Sequence, residues 1–249
     1  MLRGGMNRIW LVAMMAVLVV AGGSYVYEKG QPGSLVLRFV AFVEDEALVF
    51  NRVRYGNPGG VGEFEIRDFR FFLSNIRLVS GSEEYSVPES YHLARFDGDT
   101  QVYQLELDNI PRMPYTEIQF GIGVDATANS SIESVGDLDP NSRMAWTWDV
   151  GYKFILLEGW LLVNDVRRPL VYHVGFDENY KVVALRVEEP LFDRRTAALT
   201  FKVDIMRVFK GTNIIDMSTL SNVKFDRADA RLIADNYETM ISLCVQPDC

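Results

Sequence analysis

Residues 144–175 read MAWTWDVGYKFILLEGWLLVNDVRRPLVYHVG, and they hold three of the four tryptophans and one of the two histidines of a 249-residue chain. Gly151-Tyr152-Lys153-Phe154-Ile155-Leu156-Leu157-Glu158-Gly159 reads as a strand bounded by glycines. After a polar connection, Asn164 to Pro169, the run Leu170-Val171-Tyr172-His173-Val174 supplies a second strand. Two strands joined so closely predict a hairpin, which could return His173 toward Trp146 and Trp148. Those two indoles stand two residues apart, and in extended chain such residues project from one face.

The same pattern continues outward. Leu35 to Phe42, Leu48 to Tyr55, Phe64 to Leu78, Tyr91 to Leu93, Val102 to Leu107, Ile118 to Val124, Val182 to Val187 and Ala198 to Ile205 are rich in β-branched and aromatic residues. Turn signals such as Gly56-Asn57-Pro58-Gly59-Gly60 separate them. Within Phe64 to Leu78 the two halves alternate separately, which predicts a bulge or bend at the centre. Between Asp226 and Cys244 the period changes to a helical stripe, Leu232/Ile233, Tyr237, Met240/Ile241 and Cys244, behind Asp226 and Asp229 as an acidic start. The fold expected is all-β, an antiparallel, Greek-key-like β-sandwich closed by one C-terminal helix.

Arg3 and Arg8 precede an apolar run from Ile9 to Ala21, followed by the small residues Gly22-Gly23-Ser24. This is the layout of a secretory signal, with an uncleaved N-terminal anchor as the alternative. Residues 1–23 are therefore read as signal peptide or anchor, 24–33 as a short linker and 34–249 as one domain, in a periplasmic or secreted protein. The two cysteines, Cys244 and Cys249, would close a small disulfide loop in an oxidising compartment; free thiols in a frayed tail or a soft ligand pair are the competing readings. A net charge of -9 with dispersed basic residues excludes a nucleic-acid-binding face. Beyond the N-terminal segment nothing points to a membrane.

No G-x-S-x-G, H-E-x-x-H or P-loop is present, so no independent enzyme is expected. Two histidines exclude a histidine-rich zinc or iron site. His173 is the sharpest single candidate, with His92 as a second imidazole if the fold brings it near, against the ordinary reading of each as a core residue. Met144 offers a soft thioether for copper or simply fills a gap. The polar connection from Asp125 to Asn141 carries Asp125, Asn129, Asp137 and Asp139, an oxygen-rich set that suits calcium or a plain series of Asx turns. A calcium-stabilised sandwich that binds carbohydrate or protein on a platform of Trp146, Trp148 or Trp160 is thus the alternative function.

An ordered set of short motifs runs through most of the chain: Phe72-Leu73-Ser74-Asn75-Ile76, Phe120-Gly121-Ile122-Gly123-Val124-Asp125, Met144-Ala145-Trp146-Thr147-Trp148, Gly151-Tyr152-Lys153-Phe154, Glu158-Gly159, His173-Val174-Gly175, Phe209-Lys210-Gly211-Thr212-Asn213 and Asn236-Tyr237-Glu238-Thr239-Met240. In this set the chain resembles the MbnP-like family of methanobactin-associated periplasmic copper-binding proteins. The resemblance implies an exported β-sandwich that binds copper. It also implies a partner, a di-haem cytochrome c peroxidase-like protein, that oxidises a tryptophan to kynurenine. By motif that tryptophan is Trp146 or Trp148, and His173 matches the family's histidine in H-x-G. Kynurenine gives the position an aniline nitrogen able to ligate copper. Where copper-binding relatives are expected to carry a second histidine near the modified tryptophan, this chain has Trp148.

Overall fold

The computed structural model describes residues 31–51, 54–98, 100–131, 136–146, 151–192 and 195–244. Among these lie fourteen strands and two helices. The first half of the chain forms β1 (Gly33–Val43), β2 (Glu46–Ala47), β3 (Tyr55–Gly56), β4 (Glu63–Ser80), β5 (Glu83–Ser86), β6 (Tyr91–Asp97), β7 (Val102–Ile110) and β8 (Glu117–Ile122). Helix α1 (Ala126–Asn129) and two 3-10 turns follow, then β9 (Lys153–Val163), β10 (Val166–Gly175), β11 (Lys181–Arg186) and β12 (Thr196–Asp204). The chain closes with β13 (Asn222–Val223), α2 (Arg227–Tyr237) and β14 (Ile241–Leu243).

The strands make two sheets. The smaller has the order β14-β12-β1-β2, with β7 also on β1; the larger has the order β11-β8-β4-β9-β10-β13, with β3, β5 and β6 also on β4. The architecture is the expected sandwich, with mixed rather than purely antiparallel sheets. β1 pairs with β12 in parallel, as does β10 with β13. Parallel neighbours need a crossover connection, and between β1 and β12 the chain builds most of the opposite sheet.

Alternation decides the faces. β1 buries Leu35, Leu37, Phe39, Ala41 and Val43 and leaves the residues between them partly exposed. Phe39 stacks on its register partner Phe201 at 4.7 Å and meets Phe71 and Phe120 of the other sheet edge-on at 6.5 and 6.1 Å. Each enclosed phenylalanine contributes roughly 1.5–3 kcal/mol, whereas an exposed ion pair contributes about 0–1 kcal/mol. The ring cluster, not surface charge, holds the layers together.

β4 is buried on both faces. Phe69, Phe71 and Leu73 join the interlayer core, while Phe72 faces outward into a second, smaller cluster with Leu93, Val124, Leu138, Met144, Tyr152, Phe154 and Leu156. The segment that follows β8 folds back over the outer face and supplies the cover. The irregularity expected within β4 occurs twice, as register shifts between Ile66 and Asp68 and between Ser74 and Arg77, with Asn75 at a φ of 51°.

Several local expectations need correction. Leu48 to Tyr55 is not one strand: β2 ends at Ala47, β3 begins at Tyr55, and Leu48 and Phe50 are buried singly beneath the turn. Arg52 and Val53 of that stretch lie outside the described residues. The β9–β10 connection is Asn164-Asp165 alone, both at positive φ (49° and 61°), as a two-residue hairpin turn of type I′ requires. Residues Val166 to Pro169, read with the connection from the sequence, are already strand. The C-terminal helix stops at Tyr237, after which Ile241–Leu243 adds to β12. Asp226 caps it, accepting from the Asp229 amide at 3.0 Å.

Residues 1–30 and 245–249 lie outside the described residues, so the signal or anchor segment, most of the linker and the Cys244–Cys249 disulfide are not described. Cys244 itself donates its amide to Thr200 O at 2.9 Å. No helix among the described residues is long and apolar enough to cross a membrane.

Candidate functional site

The hairpin sets His173 opposite Leu156 and Val171 opposite Glu158. Directly opposed residues share a face, so His173 and Glu158 are diagonal neighbours on the outer face of the larger sheet. His173 Nε2 lies 3.0 Å from Glu158 Oε1, with the two side chains only 12% and 11% exposed. Glu158 also accepts from Arg67, and Arg143 Nη2 approaches its two oxygens at 3.4 and 3.5 Å. On the adjacent strand Arg70 grips Asp68 through two bonds, Nε to Oδ1 at 2.8 Å and Nη2 to Oδ2 at 2.7 Å, and Arg143 Nη1 reaches the same Oδ2 at 3.3 Å. Two bonds then fasten the loop before the tryptophans: Arg70 Nη1 donates to Ser142 O at 3.1 Å and Lys153 Nζ to Arg143 O at 2.6 Å.

Burial lowers the pKa of His173, and the charges of Lys153 and Lys224 lower it further, against the raising hydrogen bond from Glu158. The imidazole is therefore neutral at pH 7. Burial by itself would raise Glu158, but the hydrogen bonds from His173 and Arg67 and the charge of Arg143 prevail and hold it below the usual carboxylate range. An ionised carboxylate only accepts, so the neutral ring carries its proton on Nε2 and keeps Nδ1 as the lone-pair donor.

Trp146 follows Arg143 by three residues and packs against the interlayer core. Its amide donates to Gly151 O at 3.0 Å, and Ala145 bridges to Tyr152. The half-buried ring packs between Phe176 and Phe225, each at 5.3 Å, and Phe225 is 62% exposed. Arg227 covers the Phe176 ring at 4.3 Å. The indole also lies against Gly175, two residues beyond His173, where an added Cβ would come within 2.8 Å of Trp146 Cζ3. A cleft of about 140 Å³ opens beside the indole, lined by Asn129, Ser131, Pro140, Ala145, Gly151 and Tyr152.

The other expected residues fall as follows. Trp148 lies outside the described residues. Met144 is fully buried in the outer cluster. His92 is kept away from His173: it pairs with Leu73 on β6, so it faces the interlayer core, and β4 and β9 stand between β6 and β10. Three inter-strand steps of about 4.8 Å set the two strands roughly 14 Å apart, and the two imidazoles lie on opposite faces of the sheet. Trp160 lies far along the hairpin from Trp146 and Gly175, under the Arg167 guanidinium at 4.5 Å.

The oxygen-rich residues are spread out and engaged as turn chemistry. Asp125 caps α1 and accepts from Tyr91 Oη and Asn75 Nδ2, and Asn129 bonds Tyr152 N and Asp177. Asp137 accepts from Leu93 N, and Asp139 caps a 3-10 turn through Asn141 N. Among the described residues no group of three or more histidine, cysteine, aspartate or glutamate side chains could hold a metal ion.

The residues that sequence reading missed are Asp68, Arg70, Arg143 and Glu158. Only Glu158 left a trace, as the charge that ends the apolar run Phe154–Leu157 and as part of the Glu158-Gly159 motif.

A family model for MbnP matches residues 32–226. Among solved structures the fold is similar to that of MbnP from Methylosinus trichosporium, with 17% sequence identity and a TM-score of 0.54 over 74% of this chain and 80% of that one. No curated protein matches the sequence.

Proposed function

The chain belongs to the MbnP family, and from that premise we propose that it is an exported, non-enzymatic copper-binding protein. Its site joins His173 to a tryptophan, Trp146 or Trp148, that a partner di-haem peroxidase converts to kynurenine. The observation that carries this reading is the His173–Glu158 bond beside the Trp146 segment. Histidines that bind metals usually commit one ring N–H to a carboxylate or carbonyl, which fixes the tautomer and aims the other nitrogen. Here Glu158 takes Nε2–H, and Nδ1 of a neutral imidazole remains as the donor. Burial, Lys153 and Lys224 keep that imidazole unprotonated at neutral pH, the form in which it can bind copper. The enclosed thioether of Met144 has no part in this donor set and acts as packing.

The described donors supply one imidazole, so the modified tryptophan is needed to complete the set. Kynurenine brings an aniline nitrogen that indole lacks. The half-buried ring of Trp146, with its cleft and its exposed neighbour Phe225, supports access by a protein oxidant.

The test is mass spectrometry of peptides spanning residues 144–153 from protein purified from its native host, together with copper analysis of the wild type and His173→Ala. The expected result is a tryptophan that has gained an oxygen and lost a carbon, and copper retained only by the wild type. Intact Trp146 and Trp148, with copper content indifferent to His173, would overturn the reading.

A further inference from the structure

Arg143 has a backbone conformation that arginine does not favour. It ends the 3-10 turn Pro140–Ser142 at a φ of 68° and a ψ of 5°, the left-handed region that glycine adopts freely. Such a residue persists only where its surroundings over-determine it, and these positions cluster at functional sites. Three sets of contacts hold this one. Its guanidinium spans Asp68 at 3.3 Å and Glu158 at 3.4 and 3.5 Å, its carbonyl accepts from Lys153 at 2.6 Å, and the carbonyl before it accepts from Arg70 at 3.1 Å.

The carboxylate that Arg143 grips is the one that holds His173. Met144 follows directly and is locked into the outer cluster, and Trp146 lies three residues on. The side chain of Arg143 thus links the imidazole on β10 to the segment that carries the indole, through a single shared partner.

We infer that Arg143 is a positioning residue that couples His173 to Trp146 through Glu158. A change at the imidazole alters how Glu158 divides its oxygens between His173, Arg67 and Arg143, and Arg143 transmits that change to the backbone of the tryptophan segment. The inference rests on the proposed site for its purpose, but the linkage belongs to the metal-free chain and is tested there.

The experiment is a double-mutant cycle on metal-free protein, with His173→Ala and Arg143→Gly, read from the Trp146 indole N–H resonance in ¹⁵N spectra and identified by its loss in Trp146→Phe. Glycine suits the left-handed backbone, so Arg143→Gly removes the guanidinium without straining the turn. His173→Ala is expected to shift the Trp146 resonance when Arg143 is present, and by less than half as much in the Arg143→Gly background. Glu158→Gln, which retains the shape of the carboxylate, is the second route: it should reduce the His173→Ala shift in the same way with Arg143 in place. Equal shifts in every background, or no shift in any, overturn the coupling. Additive shifts in this metal-free, unmodified protein, where protein from the native host carries kynurenine and copper, sink the coupling alone. Non-additive shifts in a protein that carries neither support the coupling and count against the copper reading.

Discussion

His173 Nε2 and Glu158 Oε1 lie 3.0 Å apart between two nearly enclosed side chains on the outer face of the larger sheet. The contact joins a neutral donor to a charged acceptor, and this fixes how stability responds to acid. The imidazole titrates below its ordinary 6.5 in the fold because of burial, helped by Lys153 and Lys224. Between its folded value and 6.5 the unfolded chain binds more protons than the folded one, so stability rises with pH there. The contribution is complete above 6.5 and is lost as pH falls through the folded value. Glu158, held below its ordinary 4.5, adds a second loss in the same direction at lower pH. The thermal midpoint of the metal-free protein should fall from pH 7 to pH 5, and His173→Gln, which can still donate to Glu158, should flatten that part of the curve. An equal slope in the variant would refute the assignment.

The Arg70–Asp68 pair presents a different cost. Both side chains are under a tenth exposed, and two short bonds join them. Removing one partner strands a buried charge, which costs about 3–5 kcal/mol, whereas replacing both by apolar groups is often nearly neutral. Asp68→Ala should therefore lose about 3–5 kcal/mol in urea unfolding, and Asp68→Ala with Arg70→Met should recover most of it. A double variant as unstable as the single would show that the pair holds the fold by its charge.

The hairpin was legible because period-two alternation, glycine bounds and a short polar break are local signals. The break is shorter than the sequence suggests, since Arg167, Arg168 and Pro169 read as a connection but only Asn164 and Asp165 take the backbone of a turn. Leu48 to Tyr55 looked like a strand because Leu48 and Phe50 are apolar, yet only Leu48 extends the pairing with β1, through its amide to Ala41 O at 3.0 Å, and Phe50 is buried at a turn. His173 and Trp146 were legible as rare residue types in one stretch. Asp68 and Arg70 were not, because charges interleaved along a strand read as a solvated face, and Arg143, in a polar turn, reads as an ordinary loop residue; Glu158 stood out only as the charge that ends an apolar run. That face is covered only once the chain after β8 folds back over it, through contacts distant in sequence.

Met144 offers a direct separation of packing from ligation. It is fully buried among Phe72, Leu93, Val124, Tyr152, Phe154 and Leu156. Met144→Leu nearly conserves volume and should cost less than about 1.5 kcal/mol, while Met144→Ala leaves a cavity and should cost about 2–5 kcal/mol. Copper content of protein from the native host should survive Met144→Leu. Loss of copper with stability intact would return the thioether to the ligand set.

Gly175 explains in physical terms why glycine follows His173 by two residues. A Cβ there would stand 2.3 Å from Tyr152 O and 2.8 Å from Trp146 Cζ3. The carbonyl belongs to backbone pinned by the Ala145–Tyr152 bridge, so it cannot yield cheaply, and the indole must move. Gly175→Ala should cost about 1–3 kcal/mol by overpacking and move the emission of Trp146 toward that of a solvated indole. Gly81→Ala is the control: its φ of 62° also disfavours alanine, but nothing lies within 4 Å of the new methyl. It should cost about 1–2 kcal/mol through the backbone alone and leave the fluorescence as it was. If both variants lose stability equally and neither changes the emission, the glycine serves the strand end and not the seat of Trp146.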